Sequence, residues 1–150
     1  MSVYEGKTVL VSDGTGALGQ AVVETLLNQG ARCEVTCLLE SELEGFRLSE
    51  QVVVHMADCS NEAEVTELYQ GLDHLWASIH VVGGFEMSPI AETTLEAFRR
   101  MQVLNAETCF LCCREAVKSF SGAGRIVNVS ARPKPSPGLP HLTTPSPAGR

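Results

Sequence analysis

Six residues, Gly14-Thr15-Gly16-Ala17-Leu18-Gly19, constrain this chain more than any other stretch of it. They form a complete G-x-G-x-x-G behind an apolar, β-branched run (Thr8 to Ser12, TVLVS) that stops at the turn-forming Asp13-Gly14. Beyond the loop, Ala17, Leu18, Ala21, Val22, Leu26 and Leu27 recur at helical spacing, ending before Gly30. A strand that passes through such a loop into a helix leaves backbone N–H groups free at the helix start, where they meet the charge of a phosphate. Gly14 is expected to permit the tight turn, Gly16 to let the backbone approach a pyrophosphate, and Gly19 to let helix and strand pack closely. A glycine-rich turn with no ligand is the competing reading, and the strand–loop–helix context favours the cradle over it.

The same alternation continues along the chain. Arg32 to Leu38 reads as a strand, and Gln51 to Met56 (QVVVHM) as another. Asn61 to Gln70 reads as a helix capped by Asn61 or Ser60, and Leu75 to Val82 as a fourth strand closed by Gly83-Gly84. Thr94 to Phe120 predicts a long helical stretch bent near Asn105, and Arg125 to Ser130 (RIVNVS) a fifth strand. Strands alternating with helices of this length mean βαβ units and a parallel sheet, and near-continuous apolar strands mean helices on both faces. The expected fold is therefore α/β, a doubly wound (Rossmann-type) sheet of about five strands in the order 3-2-1-4-5.

Residues 132–150 differ in kind: six of the chain's seven prolines lie there, and no acid does. Without helical or strand period they read as an irregular, Pro-rich tail, so the dinucleotide-binding domain is expected over 1–131. Eighteen acids against 11 lysines and arginines give a net charge of -7, which argues against nucleic acid as a partner. The chain opens on Met-Ser-Val-Tyr-Glu-Gly-Lys with no apolar leader, and no apolar run approaches the ~20 residues of a membrane span. The expected setting is cytoplasmic, with the six cysteines as thiols.

With the glycine loop, the βα units and Asn105 in place, residues 6–131 resemble the short-chain dehydrogenase/reductase family. The family's opening T-G-x-x-x-G-x-G aligns with Ser12 to Gly19 (SDGTGALG), with Ser12 in place of the threonine, Asp13 of the first glycine and Ala17 of the middle one. Asp58 matches the acid after the third strand that holds the adenine amino group. Val81-Val82-Gly83-Gly84 takes the place of the family's N-N-A-G, losing both asparagines but keeping small residues beside the nicotinamide ribose. Asn105 matches the helix asparagine that helps hold a water in the proton relay, with a helix-bending residue as the alternative. The resemblance implies an NAD(P)-dependent oxidoreductase, with a nicotinamide dinucleotide and a small carbonyl or alcohol as partners. The choice between NAD and NADP stays open: the acid expected about 20 residues beyond the loop is replaced by Cys37, with Glu34 inside the strand and Glu40 late.

The catalytic part of the resemblance is incomplete. The fifth strand usually leads to a catalytic serine, whose place falls on Ala131, one residue after Ser130. The family's Tyr-x-x-x-Lys, general acid/base and its lysine, has no counterpart: the tyrosines are Tyr4 and Tyr69, and Lys134 follows none. The expectation is a truncated or alternatively ended dehydrogenase that binds cofactor without efficient catalysis, with residues from about 132 unrelated to the parent fold. The alternative is a non-enzymatic nucleotide-binding or interaction module, dimerising through the helix 94–120 as a homo-oligomer. Cys109-Phe-Leu-Cys112-Cys113 contains a C-x-x-C, but no second such pair or paired histidines accompany it, so these read as core thiols and no metal site is expected. His80 reads as a satisfied core or cleft histidine rather than a base, Trp76 as packing between sheet and helix, and the glutamates at 40, 42, 44, 62, 64 and 67 as solvated faces.

Overall fold

The computed structural model describes residues 2–46 and 49–130. Five strands, β1 (Thr8–Ser12), β2 (Arg32–Cys37), β3 (Val52–Met56), β4 (Leu75–His80) and β5 (Arg125–Asn128), form one sheet in the order β3-β2-β1-β4-β5. Every neighbouring pair is parallel. The expected order 3-2-1-4-5 is the observed one. The helices are α1 (Ala17–Asn28), α2 (Glu62–Gln70), α3 (Leu95–Gln102) and α4 (Thr108–Ser119).

β1 lies at the centre, and Val9, Leu10 and Val11 are fully buried on it. Because successive strand residues point to opposite faces, Val9 and Val11 enter one core with Val23, Leu26, Val35 and Phe46. Leu10 enters the other with Val65, Leu68, Tyr69, Leu111 and Ala116. Each such side chain contributes about 1.5–3 kcal/mol on burial, so the two clusters clamp the central strand from both sides. Cys59 and Cys112 belong to the second cluster as small buried hydrophobes.

Several boundaries differ from the sequence reading by one or two residues. β3 starts at Val52, β4 stops at His80 and β5 at Asn128. The backbone past His80 leaves the ladder because Ser12 Oγ accepts from the Val81 and Val82 N–H groups (3.0 and 3.3 Å). Asn61, outside α2, is its cap, with Oδ1 accepting from the Ala63 and Glu64 N–H groups. The helical stretch from Thr94 is not one helix: a π turn over Val103–Glu107 separates α3 from α4, with Asn105 at its centre. The bend expected there is this π turn.

β5 pairs only with β4 among the described residues, leaving Val127 about half exposed on the sheet edge. Ala131 and the Pro-rich segment 132–150 lie outside the described residues. Among those described, no helix is long and apolar enough to cross a membrane.

Candidate functional site

Parallel packing brings the ends of β1, β2, β3 and β4 to one edge of the sheet, and the glycine loop leaves from its middle. The loop is pinned to β2. Asp13 N–H donates to Thr36 Oγ1 (2.8 Å) and Gly14 N–H to the Thr36 carbonyl (3.2 Å). The turn itself is made by Asp13, whose φ of 54° is left-handed, and not by Gly14 as the sequence predicted. Aspartate is among the few residues that tolerate this conformation. Gly14 is needed for a different reason: a Cβ there would sit 2.5 Å from Val35 Cβ. At Gly19 a Cβ would collide with the Asp13 carbonyl oxygen and the Gly14 backbone, so the start of α1 sits directly on the turn after β1.

Gly16 caps α1 and offers it no side-chain acceptor. The N–H groups of the first helical turn have no intrahelical partner, so those of Ala17, Leu18 and Gly19 stay open. α2 and α3 differ, being capped by Asn61 and Thr94 side chains. A Cβ at Gly16 would come within 2.7 Å of Asp13 Oδ2, the end of a side chain that can shift to admit it.

A carboxylate that approaches the glycine loop from beyond β2 is Glu42. It sits in a 3-10 turn (Glu40–Leu43) after β2, where Oε2 accepts from Thr15 Oγ1 (2.9 Å) and Cys37 Sγ (3.4 Å). Glu42 was read as part of a solvated face; the turn folds it back onto the loop instead. Glu40, nearer the expected spacing, is exposed. Burial first, and then the Glu42 charge, raise the Asp13 carboxyl above its ordinary range. Leu18 on α1 and Leu38 and Leu39 just past β2 are exposed apolar side chains at this end of the sheet.

Asp58 follows β3 and is partly buried. Its Oδ1 accepts from Ser60 N–H (2.8 Å) and Ser60 Oγ (2.7 Å), while its own N–H donates to Glu64 Oε2 (2.8 Å). Thr36 Oγ1, already bonded to the loop, also meets Cys59 Sγ at 3.6 Å, so the loop and the end of β3 share one residue. Thr36 carries no motif signature and was missed.

Beyond β4, Gly83 and Gly84 pass Asn105. The Asn105 Oδ1 accepts from Gly84 N–H (3.1 Å), and Nδ2 donates to the carbonyls of Gly84 and Met101 (both 2.9 Å). A Cβ on Gly83 would lie 3.0 Å from Asn105 Oδ1, and one on Gly84 2.7 Å from Leu104 Cδ1. Asn105 therefore tethers the β4 exit to the π turn, an irregularity that recurs at functional sites.

Neither tyrosine reaches this end of the sheet as a free phenol. Tyr4 stacks edge-on against Trp76 near the start of β4, with ring centroids 5.5 Å apart. Tyr69 is buried, with its hydroxyl 2.8 Å from Ser78 Oγ and 3.4 Å from His80 Nε2, and burial pushes its pKa far up. Trp76 also carries Arg125 over its ring at 4.2 Å. Ser130 is exposed beyond the end of β5.

His80 is buried as expected and fully engaged: Nε2 lies 2.9 Å from Ser78 Oγ and Nδ1 2.7 Å from Asn128 Oδ1. Burial lowers its pKa, so the ring is neutral near pH 7. Cys109 and Cys113 depart from the core-thiol reading, since both are only partly buried. Glu62 is likewise not merely solvated, because it pairs with Arg114 at 2.8 Å and ties α2 to α4.

Comparison with known proteins agrees with this arrangement. The short chain dehydrogenase family model matches residues 7–138. A tropinone reductase homolog from Arabidopsis thaliana is 29% identical over 143 residues, covering 85% of this chain and 54% of the relative. Among solved structures, a short-chain type dehydrogenase/reductase from Mycobacterium ulcerans superposes with a TM-score of 0.80 at 24% identity, covering 87% of this chain and 53% of that one. A short chain dehydrogenase from Leptospira borgpetersenii with bound NAD+ gives a TM-score of 0.72 at 23% identity, covering 83% and 51%. These structural likenesses concern the fold. The chain spans about half the length of the curated relatives it matches. With a family match over most of its length and the family's sheet order and glycine loop, this chain belongs to the short-chain dehydrogenase family.

Proposed function

We propose that this chain is a nicotinamide-dinucleotide-binding unit of the short-chain dehydrogenase type that prefers NAD over NADP and transfers hydride inefficiently by itself. The open start of α1 carries the reading: Gly16 leaves the first-turn N–H groups without a side-chain acceptor. Such N–H groups suit a pyrophosphate. Gly14, Thr15, Gly16, Ala17, Leu18 and Gly19 form its cradle, Asp58 holds the adenine amino group, and Gly83 and Gly84 leave room for the nicotinamide ribose. The bound nicotinamide would supply the hydride chemistry, between a small carbonyl and the corresponding alcohol.

Glu42 decides the preference. Its carboxylate is held at 2.9 Å from the Thr15 hydroxyl of the loop, and in dinucleotide-binding βαβ units an acid beyond the second strand meets the adenosine ribose. A carboxylate there accepts from a 2′-hydroxyl and repels a 2′-phosphate. Asn105 acts as a positioning residue that fixes Gly84, while these 150 residues hold no Tyr-x-x-x-Lys motif.

A second reading, an interaction module pairing through the segment 94–120, draws on Phe98, Phe110 and Val117, which are 41%, 60% and 64% exposed. Titration calorimetry with NADH and NADPH separates the two. Saturable binding favours the cofactor unit; concentration-dependent stability with no cofactor binding favours the module.

A further inference from the structure

We propose that His80, Cys109 and Cys113 form a zinc-type metal site that clips α4 to the end of β4. The ligand atoms, one imidazole nitrogen and two sulfurs, all lie within 4.8 Å of one another, and His80 Nδ1 is 3.5 Å from Cys113 Sγ. Around a tetrahedral Zn²⁺, with Zn–S near 2.3 Å and Zn–N near 2.0 Å, ligand atoms stand about 3.5–3.8 Å apart. The widest pair thus has to close by about 1 Å, within reach of thiol rotation on a fixed helix.

Cys109 and Cys113 are four residues apart, so they share one face of α4. The pair that matters is not the C-x-x-C of the sequence: Cys112 turns into the core, whereas Cys113 turns to His80. The third ligand comes from a strand almost thirty positions upstream, which explains why no metal spacing is visible in the sequence.

A second layer of contacts supports the imidazole. With Nδ1 on the metal, the Nε2–H donates to Ser78 Oγ, 2.9 Å away, and the Tyr69 hydroxyl lies 2.8 Å from that oxygen. Hydroxyls both donate and accept, so this chain serves either histidine tautomer. Such an outer partner fixes the ring and strengthens the ligand. Asn128 Oδ1, 2.7 Å from His80 Nδ1 and 3.5 Å from Cys113 Sγ, accepts from both without metal, and metal binding replaces both of these hydrogen bonds. Two thiolates and an imidazole select Zn²⁺ over Mg²⁺ or Ca²⁺. Binding displaces the thiol protons of Cys109 and Cys113, releasing two protons to solvent, while His80 binds in its neutral form.

The test uses the full chain, freed of metal and titrated with Co²⁺ under reducing conditions, followed by Zn²⁺ displacement. The expected result is one Co²⁺ per chain, a thiolate-to-cobalt charge-transfer band, and visible bands of tetrahedral intensity that Zn²⁺ abolishes. Cys109→Ser and Cys113→Ser should each weaken binding by more than about tenfold, whereas Cys37→Ser should not. X-ray absorption of the Zn²⁺ form should show two sulfur neighbours and imidazole scattering, a readout independent of whether His80 variants fold. Absence of the charge-transfer band, a band surviving the double cysteine variant, or a zinc shell without two sulfurs and an imidazole would each overturn the proposal.

Discussion

The Thr15 hydroxyl donates to Glu42 Oε2 across 2.9 Å, so the glycine loop and the turn after β2 are joined by a side-chain bond spanning 27 residues. Cys37 donates to the same oxygen. The carboxylate thus keeps its place at the loop before any ligand arrives, which is the kind of preorganisation that reduces the cost of binding.

Glu42→Gln keeps an acceptor for a ribose hydroxyl but removes the negative charge. The expected outcome is a narrowing of the NADH-over-NADPH preference by roughly tenfold or more, because like charges set side by side cost several kcal/mol. Competitive titration with both cofactors measures it. An unchanged ratio would remove Glu42 from the specificity argument.

Asp13→Asn retains a residue suited to the left-handed φ while discharging a carboxyl whose pKa is raised by burial and by Glu42. A native pKa above the unfolded one means the folded state holds its proton longer. Stability therefore falls as pH rises from the ordinary carboxylate range through the raised native value, then levels. The variant should be the more stable protein at neutral pH and should lose that advantage in acid, as read by urea melts across pH. It should also bind the pyrophosphate more tightly.

Asn105→Ala removes three hydrogen bonds to backbone groups around Gly84 and the π turn. Asn105 is exposed, so water takes over part of the loss and the expected cost is on the order of 1–2 kcal/mol. Amide exchange should quicken at residues 83–85 while β1 stays protected. Uniform loss of protection would mean that Asn105 supports the whole fold rather than this exit.

Glu115 is held below its usual range by Lys118 (2.9 Å) and Arg114 (2.7 Å), with burial acting in the opposite sense. A depressed native pKa contributes stability that is present above the unfolded pKa and lost as pH falls through the folded one. Glu115→Gln should cost about 1 kcal/mol at neutral pH, and the difference from the parent should vanish in acid.

The fold was legible because its signals are local. The β-branched run at Thr8, the period through α1 and the glycine pair after β4 each announce an element, and alternation of those elements fixes the strand order. The glycine loop was legible as a motif, but its steric reasons were not. Gly14 answers to Val35, a contact between strands, and the turn falls to Asp13. Glu42 was hidden because a 3-10 turn, not a simple count of residues from the loop, returns it to Thr15. His80 and Cys113 were read separately as core residues, since only the packing of α4 on β4 brings them together. The bend at Asn105 was read from its position, whereas its grip on Gly84 depends on a loop 21 residues away.

Isothermal titration of the folded chain with NADH and NADPH, alongside the Gly16→Val variant, tests cofactor binding at the open start of α1 most directly. That binding predicts saturable heat with NADH, weaker binding of NADPH, and loss of both in Gly16→Val while its circular dichroism stays that of the parent. No heat from either cofactor with a folded parent chain would contradict it.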